Sequence, residues 1–217
     1  MAIVQAVAAV EDGVGGPKDV TIAATGSGNL LVVVAYSRGS TILDPPSAPT
    51  GSWVSGNDLD CEPASSMHLR IFWLPNISAG ITTVTWTPVT GDNGFMVYEL
   101  SEMDTVTPLD VQTAGTEATS TTPTDGDLVP TSPGACMIVG SVIPADVGGW
   151  TEGAGFTDLL TGALVQFATE AKANISASTT GTFTLAGSAS WGIISVIFKV
   201  PFVAGGFGRN PQIKVYA

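Results

Sequence analysis

The stretch Ile81–Ser101, ITTVTWTPVTGDNGFMVYELS, decides the fold class. Val84 and Trp86 alternate with Thr83, Thr85 and Thr87, the period-two pattern of a strand with one face in a core and one in water. Gly91–Asp92–Asn93–Gly94 is turn chemistry, and FMVYEL (residues 95–100) follows as an apolar strand. The segment therefore reads as two antiparallel strands joined by a turn. Gly181–Val200, GTFTLAGSASWGIISVIFKV, repeats the plan, with Phe183 and Leu185 inward and Thr182 and Thr184 outward.

The repetition extends outward from this pair. SGNLLVVVAYS (27–37) resembles PGACMIVGSVI (133–143), and GSWVSG around Trp53 resembles GGWTEG around Trp150. MHLRIFWLPN (67–76) has a looser counterpart in ALVQFATEAKAN (163–174). Helical periodicity is nearly absent, and short apolar runs bounded by Gly, Pro, Asn and Asp recur throughout, the grammar of a β-sandwich or barrel. These features predict an all-β, antiparallel Greek-key or jelly-roll sandwich over residues 1–200 built from two similar halves, about 27–101 and 133–200. A half of this size buries little core alone, so the halves are expected to interleave, with the Thr/Pro-rich segment 105–133 crossing between them partly as an edge strand. Residues 201–217 change character: a Gly-rich hinge precedes QIKVYA, which reads as a final edge strand or as an arm adding a strand to a partner's sheet through Phe207, Ile213, Val215 and Tyr216.

Composition narrows the function classes. The 217-residue chain is 44% hydrophobic and only 12% charged, against roughly 25% charged residues in ordinary domains. A folded core is expected beneath a surface made polar by Thr, Ser, Asn and Gly. Seven cations against 19 acids give a net charge of −12, which disfavours nucleic-acid backbones and anionic membrane surfaces. No apolar run approaches the roughly 20 residues of a membrane span. The start, MAIVQAVAAVEDGVGG, lacks a signal-peptide pattern, so synthesis and folding in the cytoplasm are expected. Cys136, in ACMIVG, reads as a buried thiol, and a bridge to Cys61 stays open.

Catalytic and metal constellations are sparse. His68 is the single histidine and would have to serve as base in any nucleophile triad; a strand histidine of this kind reads as a structural residue. Glu99, within FMVYEL, is the carboxylate of most interest for a glycosidase pair, with Asp58, Asp60, Glu62 and Glu102 as companions; a hydrogen-bonded structural role explains Glu99 equally. GNDLDCE (56–62) and TDGDL (124–128) carry oxygen ligands that suit Ca²⁺ and equally suit β-turns. No cofactor is expected. Trp53 and Trp150 sit among glycines, either as core residues or as a glycan platform, while Trp73, Trp86 and Trp191 read as core. Strands such as LLVVVA and IISVIF are apolar on both faces, so loops or termini, or a neighbouring subunit, must cover the second face.

The series SGNLLVVVAYS … GSW … LRIFWLPNISAGITTVTWTP … GFMVYELS … PLD … GDLV … FK resembles a recurrent class of β-sandwich proteins of tailed bacteriophages, also found in bacterial extracellular proteins, over Val20–Val200. Glu99 in VYELS matches a glutamate often seen there. The resemblance implies a virion structural protein of decoration or head-fibre type, on the outer surface of the particle, contacting the major capsid protein and forming homo-oligomers, with no catalytic residues to carry over. A tail-associated protein is the nearest variant, and a glycan-binding adhesin or carbohydrate-binding module with Trp53 and Trp150 is the competing class.

Overall fold

A computed structural model of the chain describes residues 1–8, 16–39, 43–61, 67–88, 91–144, 147–161 and 166–201. The proposed arm 201–217, with Phe207, Ile213, Val215 and Tyr216, lies outside them apart from Pro201, as does Glu62. The described residues form strands β1 (Ala2–Ala8), β2 (Lys18–Thr21), β3 (Leu30–Arg38), β4 (Val54–Cys61), β5 (Met67–Leu74), β6 (Thr83–Trp86) and β7 (Asn93–Ser101) in the first half. The second half carries β8 (Leu109–Gln112), β9 (Thr116–Ser120), β10 (Thr124–Leu128), β11 (Ala135–Val142), β12 (Trp150–Thr151) and β13 (Thr157–Thr161). It ends with β14 (Phe167–Ile175), β15 (Thr179–Thr182), β16 (Thr184–Leu185) and β17 (Ala189–Phe198). All recorded pairings are antiparallel, as the alternation predicts.

Each half builds its own main sheet, in the order β1-β7-β3-β5-β4 for the first and β13-β14-β11-β17-β8 for the second, where β9 also pairs with β17. The halves therefore do not interleave. Nor does the opening stretch form a hairpin: β6 pairs with β2 in a separate small sheet, while β7 pairs with β1 and β3. The turn between β6 and β7 changes layer. It does so because the apolar face of β6, Val84 and Trp86, is needed to cover the outer side of the main sheet.

The result is four layers. Leu30, Val32, Val34 and Tyr36 of β3 face the other half across a shared core with Ile138, Val142, Ile194 and Phe198. The alternate residues Leu31, Val33 and Ala35 face outward and pack under β2 and β6, with Trp86 edge-on to Phe95 at 5.8 Å. The second half repeats this: Ala135, Met137 and Val139 of β11 look outward at Phe183, Leu185 and Trp150. The second apolar face of the central strands is thus covered by small sheets of the same half, not by termini or a neighbouring subunit. The Thr/Pro-rich crossover supplies β8 and β9 as the edge of the second main sheet and β10 as part of its cover.

The two halves match in register. Val33 sits opposite Val97 and Phe72, as Val139 sits opposite Ser195 and Glu170. Gly28 N–H donates to Ile77 O at 2.8 Å, and Gly134 N–H donates to Ile175 O at 2.9 Å. Both glycines have positive φ, 80° and 86°. The residues before each isoleucine, Asn76 and Asn174, share the left-handed conformation at 54° and 58°, which Asn tolerates better than other non-glycine residues.

The two main sheets pack face to face. β1 lies against β13, β5 against β11 and β17, and β4 against β17. Tyr98 of β7 shares a hydrogen bond with Thr169 of β14, Trp73 of β5 meets Phe198 of β17 at 5.5 Å, and Tyr36 of β3 meets Phe167 of β14 at 4.9 Å. Val34 of β3 and Gly140 of β11, which match in register, meet between the sheets, and a Cβ on Gly140 would stand 2.6 Å from Val34 Cγ1.

Gly140→Ala is therefore expected to destabilise the protein by about 1–3 kcal/mol through overpacking. In the Gly140→Ala/Val34→Ala double variant that penalty should largely vanish relative to Val34→Ala alone. Equilibrium denaturation of the four proteins measures the coupling, and additive effects would show that the two strands do not meet there.

Candidate functional site

The polar groups inside the fold are tethers between layers. Glu99, in the apolar strand β7, is fully buried. It accepts hydrogen bonds from Gln5 Nε2 (2.6 Å) on β1, Gly26 N–H (2.7 Å) and Asn29 Nδ2 (2.6 Å). Gln5 in turn holds Ala23 by both backbone groups. A buried carboxylate with three donors is satisfied, and these partners occupy the oxygens that glycosidase chemistry would need free. Glu99 is the bolt that fixes β1 and the β2–β3 loop onto the sheet.

The second half has a bolt of its own that the sequence did not single out. Glu170 on β14 stands where the first half has Phe72, also without exposure. Its Oε2 accepts from Gly153 N–H at 2.8 Å, and Thr182 N–H of β15 also bonds the carboxyl; Oε1 has no partner. Burial pushes the Glu170 pKa up to about 7, against the lowering effect of the Gly153 and Thr182 donors; Glu152 adds to the rise and Lys172 opposes it. Lys172 itself lies over the Phe156 ring at 5.2 Å, so the 152–156 turn is strapped down at two points.

Asp125, a residue of the suspected calcium segment 124–128, is held inside strand β10. It accepts from Thr113 and Thr116 hydroxyls and from Gly126 N–H. The other such segment, 56–62, is strand β4 up to Cys61 rather than a loop. Asp58 and Asp60 project from its outer face and flank His68 of β5, with Nδ1 3.6 Å from Asp58 and Nε2 3.6 Å from Asp60. Arg70, opposite Asp58 in register, donates to the carbonyls of Gly56 (3.0 Å) and Leu43 (3.2 Å). Burial raises the Asp58 pKa, with His68 and Arg70 pulling it down. Among the described residues no group of three or more His, Cys, Asp or Glu side chains is arranged to hold a metal. Glu102 is an exposed residue beyond β7. Cys61 and Cys136 are both buried and unbridged, and burial drives the Cys61 thiol pKa up.

Trp53 and Trp150 are not equivalent. Trp150 pairs with Leu185 and packs edge-on against Phe183 at 5.3 Å in the outer core of the second half. In the first half, Ala48 bridges Thr85 of β6. Trp53 is half-buried against the outer core of the first half, and its Nε1–H donates to Pro49 O at 3.0 Å. The two indoles lie in different halves and do not form one platform. Trp73, Trp86 and Trp191 are core residues.

Beside Trp53 lies an open cleft of about 280 Å³ between Pro49–Ser52 and Leu74–Ile81. Thr50, Ser52, Asn76 and Ser78 supply its polar lining and the half-buried Pro49, Pro75 and Ile81 its accessible apolar part, with Leu74 and Ile77 buried beneath. Both walls are pinned. Thr25 bonds Ser78, Gly80 and Ile81 and Asn29 holds Ile77 on one side; on the other, Ser47 N–H and Ala48 N–H donate to Thr85 O. The sequence pointed to Trp53 but not to this cleft, because its two walls are more than twenty residues apart in the chain.

Comparison with protein-family models, curated proteins and solved structures finds no match.

Two outcomes are expected. Glu99→Ala strands three donors and should cost about 3 kcal/mol or more. For Glu170 the folded-state pKa lies above the ordinary value of 4.5, so its contribution to stability is full below that value and is lost as pH rises to about 7. The swing is about 3 kcal/mol at most. Denaturant midpoints at about pH 5 and about pH 8 should therefore differ less in Glu170→Gln than in the parent protein; an unchanged difference would show that Glu170 ionises freely.

Proposed function

We propose that this chain is a structural protein of a tailed-phage particle, decorating or cementing the outer surface of the capsid in many copies beside the major capsid protein. The observation that carries the reading is the use of its buried polar groups. Glu99, Asp125 and Glu170 are each bound by donors of the chain itself and lock sheets and loops together. Chemistry used this way makes a stiff body, which a lattice component needs. The phage-sandwich resemblance of Val20–Val200 supports the same reading from the sequence.

On this reading, lattice contacts use the edges of the stack and the segment beyond Pro201, the second faces of β3 and β11 being covered within each half. β4 and β13 each end a main sheet, although Asn57 of β4 is already bonded to Gln112 and Thr113, and sheet edges are where another chain adds a strand. The charge of −12 sets such a surface against basic or neutral partners rather than nucleic acid.

Quantitative mass spectrometry of purified phage particles, scaled to the major capsid protein, tests the proposal. Near-equimolar amounts, or a simple lattice fraction, are the expected result. A few copies per particle would move the protein to the tail or a vertex, and its absence would overturn the virion assignment.

A further inference from the structure

We propose that the cleft between Pro49–Ser52 and Leu74–Ile81 binds a neutral saccharide. Three observations converge on this ligand class. In a chain with 19 acidic residues the lining carries no ionisable side chain, so neither a phosphate nor a cation finds a charge there. What it offers is the pair of features a sugar ring presents in return: hydroxyl and amide groups on Thr50, Ser52, Asn76 and Ser78, and apolar surface on the half-buried Pro49, Pro75 and Ile81. At about 280 Å³ it lies near the lower end of small-molecule sites, roughly 300–1,000 Å³, which suits about one or two rings of a longer glycan.

The cleft is also preformed. Its 76–81 wall is tied to Thr25 and Asn29, and Asn29 in turn to Glu99, so the rim is anchored to the main sheet. Its opposite wall is fixed by Ala48 on Thr85 and by the bond from the Trp53 indole to Pro49. Fixed walls lower the ordering cost of binding. Gly51 keeps the wall thin: a Cβ there would approach Leu74 Cδ1 to 2.6 Å.

The test is an amide-resolved NMR titration of the full chain with maltohexaose, cellohexaose, chitohexaose and mannohexaose, repeated with Ser52→Trp and Thr50→Trp, which fill the cleft from exposed positions. The expected result is fast-exchange shifts at residues 49–53 and 74–81 with at least one glycan, and binding weaker by about tenfold or more in whichever filled variant keeps the parent fold. Absence of shifts with all four glycans, shifts elsewhere on the molecule, or binding unchanged by a folded filling variant would each overturn the site. The readout does not depend on the particle assignment: absence from virions would leave a glycan-binding result standing, and a virion protein without shifts would lose only the cleft.

Discussion

The structure depends on two strands that are apolar on both sides. β3 and β11 have no solvent face: Leu30–Ser37 and Ala135–Val142 are buried residue by residue. In a two-layer sandwich one face of each would lie in water, at roughly 25 cal/mol for every Å² of apolar surface left exposed. Four layers remove the conflict. Each central strand is covered on one side by the other half and on the other by a small sheet of its own half, and the crossing connections between β2 and β3 or β6 and β7 follow from that requirement.

The close approach of the two main sheets explains where glycine and bulk are placed. Where β3 and β11 meet, two large side chains would collide, so Gly140 faces Val34. Farther out Gly192 faces Cys61 and Gly115 faces Leu59, while the aromatic pairs Tyr36–Phe167 and Trp73–Phe198 fill the wider spaces. The 105–133 segment joins the halves, so their association is intramolecular and independent of concentration.

Much of this was legible from residue order. The alternation in TVTW and the apolar runs of β3, β7, β11 and β17 marked strands correctly, and the repeat was visible because matching elements kept their order. What covers an apolar face is not encoded in the period of a strand, so layers could not be assigned, and turn chemistry at Gly91–Gly94 suggested a hairpin where the chain changes sheet. Aligning Trp53 with Trp150 followed the glycines around them, whereas Trp150 of β12 is paired with β16 and Trp53 stands outside any strand. The better marker was Asn-Ile-Ser at 76–78 and 174–176, where the left-handed asparagine and the glycine bond are duplicated. Glu170 was not singled out because the loose match of ALVQFATEAKAN to MHLRIFWLPN does not mark which of its polar residues are buried. The sequence grammar carried the virion expectation and the fold adds stiffness to it, but chemistry at a surface cannot be read from either pattern alone.

The halves have kept their geometry and parted in their chemistry. Positions that match in register now differ in kind: Phe72 against Glu170, Val97 against Ser195, Glu99 against Ile197. In the first half a carboxylate on β7 ties down the chain entering β3. In the second, apolar Ile197 takes that place and the acid sits two strands away on β14, holding the 152–156 turn instead. Both halves carry bolts of this kind, at different points, so the requirement is for a tether between cover and sheet and not for a particular residue. Freed from identical anchoring, the loops at equivalent corners can diverge while the core strands keep their register.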